Sequence, residues 1–336
     1  MDDGLSPTLN RPRWQALLAD ALTRPADLLA ALAIDAAHPA LAAEHLRDFP
    51  IRVPRSFVAR MRPGDPNDPL FLQIWPRPAE ADEVPGYGVD AVGDMAKLKG
   101  GGLIHKYRGR ALVIATGACA VNCRYCFRRH FPYGDAMAAR GQWRETLAEL
   151  DADHSIEEVI LSGGDPLALS DDKLAVFAEA LETRPWIRRL RLHTRVPVVL
   201  PERVDGPLLR WLTASRLQKI IVLHANHGNE IDDSVIAACV ALRSTGAQLL
   251  NQAVLLRGVN DTTDAQAELS ERLLAAGVLP YYLHVLDRVA GAAHFDVSEL
   301  TAQTIMRELA ARLPGYLVPR LVREIAGEPA KTQLPW

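Results

Sequence analysis

The spacing of hydrophobic positions changes near residue 111. Before that point, apolar residues recur at helical intervals in RWQALLADAL, PADLLAALAI and PALAAEHLRDF, which predicts a helical first third. A passage rich in Pro, Asp and Gly follows, RMRPGDPNDPLFLQIWPRPAEADEVPGYG, and reads as an extended connector. Beyond it, short β-branched runs alternate with helical patterns. The runs are ALVIAT (111–116), EEVILS (157–162), IRRLRLHT (187–194), QKIIVLHA (218–225), AQLLNQAVLL (247–256) and VLPYYLHVL (278–286). Helical patterns between them cover Asp171–Thr183, Asp232–Thr245, Thr263–Ala276 and Val297–Arg312. Strand–helix units in series predict a parallel sheet with crossover helices. A closed eight-unit barrel takes roughly 250 residues and two further units. The expected fold is therefore α/β, a partial (β/α)6 barrel over 101–313. A helical N-terminal region with its connector occupies 1–100, and a short C-terminal segment occupies 314–336.

Polar residues cluster where these strands should end. Cys119 follows the first strand, SGGD the second, HTR the third, HANH the fourth, RGVND the fifth, and HVLD closes the sixth. In barrels of this kind the C-terminal strand ends form the reactive face. Any one of these loops is unremarkable, because polar residues mark loops generally; six at one rim favour an enzyme over a scaffold.

Composition narrows the partners. The net charge of −3 gives no basic face, so nucleic acid is not expected. No run approaches the about 18 apolar residues of a membrane span. The opening MDDGLSPTLNRPRW lacks an apolar core, so no secretion signal is read there. A cytoplasmic location is expected, where disulfides are rare.

The chain has 4 cysteines, and Cys119, Cys123 and Cys126 share the stretch GACAVNCRYCFRRHFPYGD. In a reducing compartment such a group suggests a metal or redox site. Cys239, in SVIAACVALRS, suits the buried face of a helix. Three thiolates on one loop would leave one iron of a [4Fe–4S] cluster open to a ligand. With His130 as a fourth ligand the same cysteines would make a structural zinc site, which is the non-catalytic alternative.

The CxxxCxxC spacing, with Tyr125 before the third cysteine, resembles the radical S-adenosylmethionine (SAM) enzymes. In these enzymes three thiolates hold a [4Fe–4S] cluster and SAM chelates the open iron. ILSGGDPL resembles the family motif that contacts the methionyl end of SAM, which implicates Ser162, Gly163, Gly164 and Asp165. HKYRGRALVIATGACAVNCRYCFRR, RVPVVLPERV, LLNQAVLLRGVND, PYYLHVLD and GYLVPRLVREIAGEPAKT narrow the resemblance to the lysine 2,3-aminomutase family, over roughly residues 50–336. The short length and the REIAGEPAKT ending resemble the branch that makes (R)-β-lysine for modification of elongation factor P.

What the resemblance implies is an isomerase that moves the amino group of L-lysine from C2 to C3. Its cofactors would be the cluster, SAM and pyridoxal phosphate (PLP). Lys331 occupies the position of the PLP lysine; without the resemblance it reads as a solvated tail residue. Lys106, Tyr107 and Arg110 fall at the PLP-phosphate positions, with Lys106 standing where relatives have arginine. Arg128 would hold the substrate carboxylate. Asp287 and Glu324 would hold the ε-ammonium, with Glu324 one methylene longer than the family aspartate. No C-terminal cysteines exist to form the zinc site of longer relatives. An electron donor is required, and a homodimer is one candidate assembly. An aminomutase acting on another amino acid is the catalytic alternative.

Overall fold

The computed structural model describes residues 12–38, 41, 49–134, 137–141 and 143–336. Two short helices, α1 (Arg13–Ala19) and α2 (Pro25–Ala31), match the first two apolar patterns. Most of the third, PALAAEHLRDF, lies outside the described residues. Trp14 and Leu28 are buried, and the guanidinium of Arg203 lies 4.5 Å from the centre of the Trp14 ring. That stacking ties the N-terminal region to the barrel wall.

The stretch read as a connector is folded. It follows α3 (Arg55–Val58) and contains α4 (Pro69–Leu72), whose first amides are capped by the buried Asp68 at 2.8 and 3.0 Å. Leu70, Phe71, Ile74 and Trp75 are all buried, so PLFLQIW is core. The Pro and Gly residues around it mark turns, and they masked an apolar run too short to show a period.

Among the described residues, nine strands form one open sheet in sequential order. They are β1 (Leu103–Tyr107), β2 (Arg110–Thr116), β3 (Glu158–Gly163), β4 (Arg189–Thr194), β5 (Gln218–Leu223), β6 (Gln248–Val254), β7 (Leu279–His284), β8 (Arg320–Arg323) and β9 (Thr332–Gln333). Neighbours from β2 to β8 are parallel. β1 and β9 run antiparallel at the two edges. The six expected strands are β2–β7. The C-terminal segment supplies a seventh parallel strand, β8, and a closing hairpin to β9. LVRE was too short to show alternation before Gly327 and Pro329.

The crossover helices are α5 (Arg144–Ala152), α6 (Asp171–Glu182), α7 (Val196–Val199) with α8 (Gly206–Ala214), α9 (Asp233–Ser244), α10 (Thr263–Ala275) and α11 (Glu299–Arg312). Four begin at a side-chain cap: Asp205, Asp232, Thr262 and Ser298 each accept an amide two or three residues into the helix. Sequential order with crossovers of one hand puts these crossover helices on one face. On that face Val159, Leu161, Leu190, Leu192, Ala253 and Leu283 are buried. The alternate residues of the same strands face a cavity of about 540 Å³: Leu112, Ile160, Ser162, Arg191, His193, Gln252, Val254, Tyr282 and His284. The period of two along each strand thus separates an apolar helix-facing side from a polar interior.

Candidate active site

The cysteine loop leaves β2 and lines the cavity with Cys119, Cys123 and Cys126, all three free thiols. The end of β3 holds this loop. Gly164 donates to the Thr116 carbonyl at 2.6 Å and Asp165 to the Ala118 carbonyl at 2.8 Å. A Cβ on Gly164 would sit 2.4 Å from the Ala118 oxygen, so only glycine permits this approach. Gly163 has φ 111°, and a Cβ there would sit 2.7 Å from the Thr116 oxygen. The double glycine therefore seats the cysteine loop.

Asp165 braces the neighbouring loop. Its carboxylate accepts from Thr194 Oγ1 and the Arg195 amide at 2.7 Å each, from the Leu167 amide at 3.0 Å and from the Val196 amide at 3.2 Å. Burial raises its pKa to about 6 despite these donors. With four protein donors its carboxylate is fully engaged, and the expected contact from Asp165 to a cofactor amine is replaced by a framing role.

Burial pushes the Cys126 thiol up to about 11 and the Cys119 thiol well above its ordinary value. Both are protonated in the metal-free chain, so loading metal releases protons. Cys239 is buried in α9, its thiol pushed up to about 12 by burial, as expected of a core residue. Among the described residues no three His, Cys, Asp or Glu side chains converge on one metal ion. His130 is exposed, with Nε2 3.1 Å from the Ala290 carbonyl. A zinc site needs such convergence. Thiolates that each bind a different iron do not.

Across the cavity, alternating charges form a ladder. Arg128 Nε donates to Asp94 Oδ2 at 2.7 Å. Asp94 Oδ1 meets Lys106 Nζ at 2.5 Å. Lys106 reaches Glu324 Oε1 at 3.0 Å, and Glu324 Oε2 meets Lys331 Nζ at 2.6 Å. The sheet register explains the last contact. Arg323 pairs with Thr332 across β8 and β9, so the next pair outward is Glu324 with Lys331. A lysine that read as a tail residue is thereby fixed over the cavity.

This ladder alters some of the expected roles. Lys106 Nζ has three acceptors, Asp94, Glu324 and the Val92 carbonyl at 2.7 Å, so it is not free to bind a phosphate. Arg110 makes no hydrogen bond or ion pair among the described residues and only stacks on Tyr107, 4.8 Å from ring centre to guanidinium. Arg128 donates Nη1 to Ser162 Oγ at 3.1 Å, which leaves Nη2 without a partner. Glu324 is held down at about 2 by Lys331 and Lys106, which outweigh burial. Asp287 lines the same cavity without a hydrogen-bond or ion-pair partner. Burial, then the Glu324 carboxylate, raise it to about 7.

Several cavity residues carried little or no sequence signal. His193, His224 and His284 each bury an unpartnered Nε2, and Gln252 buries an unpartnered Oε1. Burial drives His224 down to about 3 and His193 and His284 well below the ordinary imidazole value, so all three are neutral. Orphan polar atoms facing one cavity indicate a polar ligand. HTR, HANH and HVLD hinted at the histidines. Asp94 had no signal at all.

Comparison with known proteins now decides the family. The Radical SAM superfamily profile matches residues 113–206. A protein named L-lysine 2,3-aminomutase from Escherichia coli is 47% identical over 331 residues, covering 97% of this chain and 96% of that one. Another of that name from Haemophilus influenzae is 44% identical, covering 95% and 94%. A radical SAM methyltransferase structure from Sphaerobacter thermophilus aligns over 66% of this chain and 68% of its own, with TM-score 0.46 and 18% identity. The chain belongs to the lysine 2,3-aminomutase family of radical SAM enzymes. Membership brings a [4Fe–4S] cluster, SAM and PLP, and the site has matching parts: three thiols on one loop, an unpaired arginine, a lysine at a hairpin, and orphan imidazoles between them. No helix among the described residues is long and apolar enough to cross a membrane.

Proposed function

We propose that this chain is an L-lysine 2,3-aminomutase that converts L-lysine to β-lysine. The observation that carries the reading is the convergence on one cavity of Cys119, Cys123 and Cys126 with Lys331, Asp287 and Glu324. When bound, the cluster and SAM supply a 5′-deoxyadenosyl radical, and PLP supplies an electron sink for the migrating nitrogen.

The protein's own residues would bind and orient. Cys119, Cys123 and Cys126 would each hold one iron. Lys331 would carry PLP covalently, and Arg110 with Tyr107 would meet its phosphate. The polar edge of Ser162–Gly164, next to the cysteine loop, would face SAM. Nη2 of Arg128 would take the substrate carboxylate, since its other two nitrogens are already fixed by Asp94 and Ser162.

The far end of the cavity is built for an ammonium ion. Glu324 already holds the Lys331 ammonium at 2.6 Å. Asp287 is an unpaired acid in the same pocket, and binding a cation would drive off its proton. Two acids favour lysine over glutamate, whose side chain would be repelled. That argues against the reading as a mutase for an acidic amino acid.

The reading extends to (R)-β-lysine destined for elongation factor P, supported by the resemblance of the REIAGEPAKT stretch to that branch. It also extends to a cytoplasmic enzyme served by a separate electron donor. Anaerobic reconstitution with iron, sulfide and PLP, followed by chiral analysis of the product formed from L-lysine with SAM and a chemical reductant, tests the reaction and its stereochemistry. Turnover of glutamate or a neutral amino acid as fast as L-lysine overturns the substrate reading. A dominant (S) product overturns the branch.

A further inference from the structure

The cysteine loop is backed by a second buried network, centred on Arg195 at the end of β4. Nη1 of Arg195 lies 2.8 Å from the Sγ of Cys123 and also donates to the Tyr125 hydroxyl. Nη2 donates to Gln73 Oε1 at 2.7 Å and to Glu230 Oε2 at 2.9 Å. Asn226 Nδ2 donates to the same Gln73 oxygen at 2.9 Å. Glu230 is 0% exposed, and its other oxygen accepts from Gln73 Nε2 at 3.1 Å and from the Asn226 and His227 amides at 2.8 and 3.1 Å.

The guanidinium is therefore locked. Its backbone amide is held by Asp165, one nitrogen by Gln73 and Glu230, and its faces by Phe57 and Tyr125 at 5.4 and 5.6 Å. It cannot swing away from the sulfur without breaking several buried bonds. Its counter-charge, Glu230, is on the Nη2 side, so the Nη1 side presents N–H and positive charge to Cys123.

We infer that Arg195 is a positioning residue that sets the reduction potential of the cluster bound by these cysteines. The inference rests on the proposed cluster assignment. Reduction delivers one electron to the cluster and makes it one charge more negative. A fixed donor and cation at a ligand sulfur stabilise the more negative state, so they raise the potential. The buried position strengthens the effect, since little water screens it.

An EPR-monitored redox titration of the anaerobically reconstituted protein with a chemical reductant tests this. Arg195→Gln removes the charge while keeping a polar side chain near Gln73. It should disfavour reduction about tenfold, a fall of about 59 mV for a one-electron couple. Glu230→Gln removes the counter-charge and should shift the potential the other way. Iron and sulfide content and circular dichroism establish that each variant is loaded and folded. If Arg195→Gln loads its cluster and titrates at the wild-type potential, Arg195 is only a brace and the inference is overturned. If that variant does not hold iron, Glu230→Gln carries the test, and the absence of an upward shift overturns it. Failure of the wild-type chain to bind any iron would instead sink the cluster assignment itself.

Discussion

The two ends of the cavity are held in different ways. At the cysteine end, Gln73, Tyr125, Arg195, Asn226 and Glu230 form a closed network in which one cation meets one anion and neutral groups satisfy the rest. At the Lys331 end, five ionic side chains alternate in sign, and Asp287 stands beside them unpaired. Arg195 Nε is its one donor without a partner among the described residues, and a network this nearly satisfied is rigid and unreceptive. A ladder with an orphan acid can exchange a protein ammonium for a substrate one. The contrast supports the proposed roles, a frame at the cysteine end for the cluster and a receptor at the Lys331 end for a charged substrate.

Lys331→Ala breaks the receptor end outright. It should abolish turnover and remove the pyridoxyl label found by borohydride reduction and peptide mapping. Iron content should stay at the wild-type level, because nothing in the Arg195 network touches Lys331. A label on another lysine in the wild-type protein would overturn the assignment, and loss of iron in Lys331→Ala would mean the two ends are one unit.

Asp94→Asn tests whether the ladder is one object. Asp94 is 3% exposed and lies between Arg128 and Lys106. Losing its charge leaves the buried Arg128 guanidinium without its carboxylate and Lys106 with Glu324 as its one counter-ion, and an uncompensated buried charge typically costs about 3–5 kcal/mol. Urea unfolding of the apo-protein should show a loss of that size. A loss below about 1 kcal/mol would mean that the charges are well hydrated and that the ladder is a set of surface-like pairs.

Much of this arrangement could be read before any coordinates. The six β-branched runs gave β2–β7 because each is long enough to show its period, and the cysteine spacing marked the thiol loop that lines the cavity. Lys331 was legible only through resemblance, since its meaning depends on a hairpin that pairs Arg323 with Thr332. Asp94 and Gln73 were invisible. Both lie in a Pro- and Gly-rich region whose burial is set by tertiary contacts, and neither has a local pattern to announce it. The inward polar row, from Arg191 and His193 to Tyr282 and His284, was present in the sequence as alternation within the strands. It looks like the pattern of a half-exposed sheet, so only the folded barrel shows that its polar side faces a cavity.

The smallest effect expected is also the one that most sharpens the contrast. Asp287 is a carboxyl raised to about 7, by burial first and then by Glu324. In the free enzyme it is protonated below that pH and charged above it. A neutral Asp287 attracts an ammonium poorly, so kcat/KM for L-lysine should fall as pH drops through about 7. Asp287→Asn removes a contact that contributes about 1.5–3 kcal/mol, so kcat/KM at pH 8 should drop about tenfold to a hundredfold. The same variant should lose the acid limb near pH 7. Stability must move the opposite way. The folded chain holds this proton more tightly than the unfolded chain, whose carboxyl titrates near 3.8. Asp287 therefore weakens the fold progressively as pH rises between those two values. Asp287→Asn should gain stability relative to wild type over that interval and hold the gain above pH 7. An acid limb that persists in Asp287→Asn would assign that limb to another group, and a stability difference that does not change between pH 4 and 7 would show that Asp287 is ionised and already paired, with the receptor end as closed as the cysteine end.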